Sequence, residues 1–168
     1  MKRWALVAIL LLGLVVALAR LGAPGRSAAP TPPGLEEAAI ARSLVADPAD
    51  RDLVGLYARD TDRLCIVREA TAYRIGGSVD YGDGIACSGA GRVERDDGVL
   101  QVTLGADCAF SARFEGDSIR FPARLPAACR RLCTRRASFA ALHVDRLSAS
   151  ASEAAAMRTS TGKLPCGG

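Results

Sequence analysis

The chain is 168 residues long, 49% apolar and 24% charged, with 22 basic against 18 acidic residues and a formal net charge of +4. With an N-terminal apolar segment and a linker set aside, these values describe one ordinary globular domain, large enough to bury its own core. Removal of Lys2 and Arg3 with that segment lowers the charge from +4 to +2, which excludes the one-sided basic excess of a nucleic-acid binder.

Lys2 and Arg3 precede an uncharged apolar run over residues 4–19. Ala17-Leu18-Ala19 is a small-x-small site of the kind signal peptidase accepts, so residues 1–19 read as a signal peptide. The rival reading is an uncleaved membrane anchor. At 1.5 Å per residue the run spans about 24 Å, short of the ~30 Å hydrocarbon core, but residues 21–23 extend it if Arg20 snorkels. In both readings the remainder is translocated. No cysteine precedes Cys65, which argues against a lipoprotein. Residues 20–34 are rich in Pro, Gly and Ala and read as a semi-extended linker. Residues 35–168 are expected to form a single disulfide-containing domain.

Residues 35–46 (LEEAAIARSLVA) predict a short helix, with Glu36 and Glu37 in the first turn, where the helix dipole favours negative charge. Asp47-Pro48 stops it. From residue 53 to residue 122 the pattern changes to short alternating runs. LVGLYAR, LCIV, TAYRI, GIACSG, GVLQVTLG, DCAFSARFE and SIRFP read as strands. Asp60–Asp62, Gly76-Gly77, residues 81–84, 96–98, 105–106 and 115–117 read as turns between them. Cys108, Phe110, Ala112 and Phe114 share one face of a strand. The expected fold is mainly β, a small antiparallel barrel or sandwich, with short N-terminal and C-terminal helices.

The last third differs. Pro126 suits the first position of a helix over residues 125–136, which would set Cys129 and Cys133 one turn apart on one face. Residues 139–147 form another apolar segment. Ser150 and Glu153 make a capping box for a helix over residues 150–158. The cysteines Cys65, Cys87, Cys108, Cys129, Cys133 and Cys166 are even in number and follow an export signal, which favours disulfides. Six cysteines allow 15 pairings, and the sequence does not choose among them. Cys166 lies in a Gly-ended tail and is expected to tie it down.

Each chemical motif competes with a plainer reading. Cys129 and Cys133, with His143 or another cysteine, form a candidate copper or zinc site; alternatively each is disulfide-bonded. His143 is the only histidine and sits among apolar residues, and no G-x-S-x-G nucleophile elbow accompanies it. Ser78 and Ser88 lie near glycines in what read as turns. Asp80 and Asp83, like Asp96 and Asp97, fall in turns where aspartate is expected for backbone reasons. Gly89-Ala90-Gly91 reads as a turn, not a nucleotide loop. Arg124, Arg130, Arg131, Arg135 and Arg136 lie in a stretch with no acid between Asp117 and Asp145, and are the candidate surface for an anionic partner.

Gly55-Leu56-Tyr57 opens a strand, Cys65 follows soon after, and a later strand pair ends in EGDSIRF. Over residues 53–121 this resembles small periplasmic calycin-like barrel proteins of the bacterial protease and lysozyme inhibitor type. The resemblance implies an exported barrel; it transfers no inhibitory residue, and the Cys-rich C-terminal part departs from it. The expectation is an exported envelope protein, periplasmic, secreted or membrane-tethered through residues 4–19. It would be a non-enzymatic binding module without a cofactor, partnered by a protein or an anionic envelope component and not by nucleic acid. The alternative is a small periplasmic hydrolase or metal-handling protein using His143 and the cysteines.

Overall fold

The computed structural model describes residues 34–42, 44 and 51–167. The expected signal or anchor segment, all but the last residue of the linker, and residues 43, 45 and 46 of the first predicted helix lie outside them. Helix α1 is Leu35–Ala41, ending before the predicted Asp47-Pro48 stop, with Arg42 already in a turn. Among the described residues no helix is long and apolar enough to cross a membrane.

The rest is a closed antiparallel barrel within the unit Ala39–Gly168. Its strands are β1 (Gly55–Arg59), β2 (Asp62–Glu69), β3 (Ala72–Asp80), β4 (Ala86–Asp96), β5 (Val99–Leu104), β6 (Cys108–Phe114), β7 (Ser118–Arg120) and β8 (His143–Ser148). Each pairs with the next, and β8 returns to β1 through Leu56↔Ser148, Tyr57↔Arg146 and Ala58↔Asp145. The expectation of a barrel or sandwich thus resolves to a barrel. Closure pairs the two strands that would otherwise be open edges.

Period-two alternation explains the core. On β5 Leu100, Val102 and Leu104 are buried; on β6 Cys108, Ala112 and Phe114 are buried. With Tyr57, Leu64, Ile66, Ile75, Val79, Val93, Ile119 and Val144 they fill the interior. An eight-stranded barrel is just wide enough for side chains to fill it.

Three groups expected in turns lie inside strands. Gly76-Gly77 and Ser78 are in β3; Ser88 and Gly89-Ala90-Gly91 are in β4. These glycines serve close approach, not chain reversal. A Cβ on Gly76 would lie 2.5 Å from Pro165 Cβ, and one on Gly91 would run into the Thr103 carbonyl. Of the aspartates expected in turns, Asp83 and Asp97 lie there, while Asp80 and Asp96 are the last residues of β3 and β4. Asp60, Asp83 and Asp97 adopt positive φ of 50°, 51° and 50°, and Asp80 Oδ1 accepts from the Gly82 N–H at 2.9 Å.

The three disulfides are nested: Cys65–Cys166 encloses Cys87–Cys133, which encloses Cys108–Cys129. None of the six cysteines is free. This suits an oxidising, extracytoplasmic environment. Helix α2 is Ala151–Ala156, with Ser150 Oγ accepting the Glu153 N–H. It packs outside the barrel in a second small core of Ala154, Met157, Cys65 and Cys166, with Leu56 and Val67 against it. The expected tie at Cys166 is thus the bond to Cys65.

Candidate functional site

In an up-and-down barrel alternate connections emerge at the same end. The β1–β2, β3–β4 and β5–β6 turns therefore share an end with the long β7–β8 connection, residues 121–142. That connection plugs the barrel mouth. Phe139 is fully buried, and a Cβ on Gly77 would lie 3.2 Å from its ring. Phe121 bridges Phe139 to Phe110, with ring centroids 6.5 and 4.7 Å apart. Leu125, Leu132 and Leu142 join the same core.

Two disulfides fix the plug to two strands of the barrel that flank β5, Cys129 to Cys108 on β6 and Cys133 to Cys87 on β4. Beside the second, the Thr134 N–H donates to the Ala86 carbonyl at 2.8 Å, and Thr134 Oγ1 accepts from the Ala86 N–H at 2.9 Å. These ties explain why the predicted helix over residues 125–136 is instead a short 3-10 helix, Ala127–Leu132. Pro126 caps it, and Cys133 is already extended with φ −125° and ψ 150°. Cys129 and Cys133 are pulled to different strands, so they do not share a helix face. Both are consumed in disulfides and present no thiolate to copper or zinc. Among the described residues no three His, Cys, Asp or Glu side chains converge to hold a metal ion.

The plug carries Arg124, Arg130, Arg131, Arg135 and Arg136, all exposed. Arg131 pairs with Asp107, an exposed ion pair that contributes little. Arg124, Arg130, Arg135 and Arg136 have no carboxylate within ion-pair distance among the described residues. Arg135 holds a positive φ of 51°. A cleft of about 180 Å³ opens between the 3-10 helix and residues 137–140, with Arg130 in its lining. The structure thus gathers all five predicted arginines on one disulfide-pinned connection.

The opposite end is closed by Arg146. Its guanidinium lies 4.9 Å from the centre of the Tyr57 ring and donates to the carbonyls of Val54 and Asp52 at 2.7 Å and of Gly116 at 3.0 Å. It also pairs with Asp117 at 3.2 Å, which Arg51 holds from the other side at 2.7 Å. Tyr57 is fully buried and donates its hydroxyl proton to the Leu53 carbonyl at 2.8 Å.

His143 lies on the barrel wall. Its Nε2 is 3.3 Å from Arg59 Nη2 and 3.5 Å from Asp145 Oδ1. Arg59 donates to Asp145 at 2.7 Å, and this bond holds the Asp145 carboxyl below the usual range. These polar neighbours are an acid and a guanidinium, not a nucleophile. Nothing positive in this geometry indicates an enzymatic activity.

One grouping escaped the sequence. Arg63, Asp80, Tyr81 and Arg158 line a common cleft, although Arg158 follows the others only after most of the domain. Two separate elements meet there, and no local pattern announces it. Comparison with known proteins found no matching family model, no matching curated protein and no matching solved structure.

Proposed function

We propose that this chain is an exported, non-enzymatic binding module of the cell envelope that presents the arginine face of its plugged barrel to an anionic envelope component or an acidic protein. The single observation that carries the reading is the state of that face. Four exposed guanidiniums without carboxylate partners among the described residues stand on a connection pinned by two disulfides. Pre-ordering of this kind lowers the entropic cost of binding, and complementary charge speeds encounter with an anion.

The plug bears on where binding takes place. Small-molecule sites occur in the mouths of β-barrels, and here Phe139 and its neighbours fill the mouth. Binding is therefore assigned to the surface. The closed eight-stranded antiparallel architecture, which lipocalins also use, supports kinship with the calycin-like inhibitor-type barrels, as an argument from fold alone. The apolar N-terminal segment supports delivery to the periplasm, with or without retention as a membrane anchor.

The test compares the intact chain with a variant carrying Ala at Arg124, Arg130, Arg135 and Arg136, for retention on anionic phospholipid vesicles across a salt series. The N-terminal segment is common to both proteins, so it cancels. The expected result is salt-sensitive retention lost in the variant, since each basic residue near an anionic surface contributes about 1 kcal/mol. Equal retention of both proteins on vesicles, together with equal capture of acidic envelope proteins, would remove the reading.

A further inference from the structure

A second polar surface lies on the outer wall of the barrel, at the same end as the plug but with none of residues 121–142 in its lining. In the strand register Arg63 on β2 faces Ser78 on β3, Ser78 faces Ser88 on β4, and Asp80 faces Ala86. Side chains two apart on a strand share a face, so Arg63, Ser78 and Asp80 stand together. Their alternating neighbours Leu64 and Val79 point into the core, which puts this group on the outside. The tail after α2 is held to the same wall by Cys65–Cys166, with Pro165 against Gly76. Arg158, Thr159 and Ser160 of that tail form the opposite wall of an open cleft of about 690 Å³, and Tyr81 stands at its rim.

We propose that this cleft binds an acidic saccharide, a sugar ring carrying a carboxylate. Both guanidiniums are held in place by backbone carbonyls. Arg63 Nη1 donates to Asp60 O at 2.6 Å and to Asp62 O at 2.8 Å, and Arg158 Nη1 donates to Gly162 O at 3.1 Å. Neither forms an ion pair among the described residues, and each keeps further N–H donors for a carboxylate. Tyr81 is a large aromatic left 58% exposed, a flat amphipathic plate with an apolar body and a polar tip, suited to a sugar ring. Desolvation and the nearby Asp62 raise its hydroxyl above the ordinary value, so it stays a neutral donor.

Asp80 decides the ligand class. One of its oxygens is taken by the Gly82 N–H, and the other remains an acceptor for a sugar hydroxyl. A sulfate has no hydroxyl to offer Asp80, an inorganic phosphate offers at most its own P–OH, and neither has a ring for Tyr81 to offset the like-charge repulsion from the carboxylate. A neutral sugar leaves the two guanidiniums unused. The volume falls in the ordinary range for small-molecule sites. Its lining shares no residue with the plug.

Calorimetric titration of the oxidised protein with short galacturonate oligomers tests the assignment, with the matching neutral galactose oligomers and inorganic phosphate alongside. Binding of the galacturonate oligomers alone is expected. Tyr81→Ala and Arg158→Gln, both at exposed positions, are each expected to weaken it about tenfold while thermal unfolding stays that of the parent. No binding of galacturonate, equal binding of the neutral oligomer or phosphate, or unchanged affinity in both variants overturns the proposal. Loss of the titration in the variant lacking Arg124, Arg130, Arg135 and Arg136 would place the saccharide on the plug and also overturn it. Intact titration in that variant locates the site on the barrel wall whatever the fate of the plug reading.

Discussion

Cys87 and Cys133 are joined twice, by their disulfide and by an isolated antiparallel bridge between their backbones. The covalent bond and the sheet-like pairing hold one point of the plug against the start of β4. The arginines on either side of Cys133 inherit their placement from it.

Replacing Cys87 and Cys133 together with Ala is expected to cost about 2–4 kcal/mol, the usual range for a native disulfide. Urea denaturation measures this. Limited proteolysis should then cut within residues 121–142 first, because the plug loses one of its two covalent anchors. Salt-sensitive retention on anionic vesicles should weaken in parallel. A variant as protease-resistant as the parent would show that packing of Phe139 alone holds the plug.

Thiol titration under denaturing conditions should find no free thiol before reduction and all six cysteines after it. Fragment mapping of the unreduced protein should recover the nested pairs. A cysteine pair that reacts without reductant would contradict the pairing and restore a thiolate chemistry that the structure leaves no room for.

Gly76→Val tests the tail. The new Cβ would meet Pro165 at 2.5 Å and Cys65 Sγ at 2.8 Å, and overpacking of this kind typically costs about 1–3 kcal/mol. Hydrogen exchange should quicken across residues 157–167, with β5 and β6 unchanged. An affinity for galacturonate oligomers that falls with it would tie the cleft to the seating of the tail.

Tyr57 gives a prediction at high pH. Burial is the main cause that pushes its hydroxyl up to about 12 from an ordinary 10. The folded state therefore keeps a proton that the unfolded chain releases. The resulting stabilisation is complete below pH 10 and is lost as pH rises towards about 12, amounting to about 2–3 kcal/mol. Tyr57→Phe should flatten this part of the stability profile. It should also cost about 1 kcal/mol at neutral pH, because the Leu53 carbonyl loses its donor. An unchanged alkaline slope would assign the loss to other groups.

Where signals are local, the sequence was readable. Alternation on β5 and β6 announced a buried face, aspartates marked the reversals at Asp60, Asp83 and Asp97, and Ser150 with Glu153 placed the start of α2. Glycine was misleading because the same residue serves a turn and a tight contact. Gly76 and Gly91 read as punctuation, yet one lies beneath Pro165 and the other against Thr103. The disulfide partners were hidden because pairing depends on which strands neighbour one another, which spacing does not encode. Residues 125–136 carry a helical pattern, but two covalent ties to different strands override it. The arginine face was visible as an acid-free run of sequence. The cleft around Arg63 and Arg158 was not, because only the path of the C-terminal tail brings its walls together.

The Cys65–Cys166 bond has a consequence for wear. It turns the stretch between those positions into a covalent circle that contains six whole strands, β3 to β8, the part of β2 from Cys65 onward, and the whole plug. A single peptide-bond cut anywhere in that circle releases nothing. The two pieces stay linked and the barrel remains assembled through its hydrogen-bonded neighbours, so a molecule nicked at an exposed loop keeps both of its surfaces. Among degradative enzymes, such a protein wears out by accumulated cuts, not by the first one.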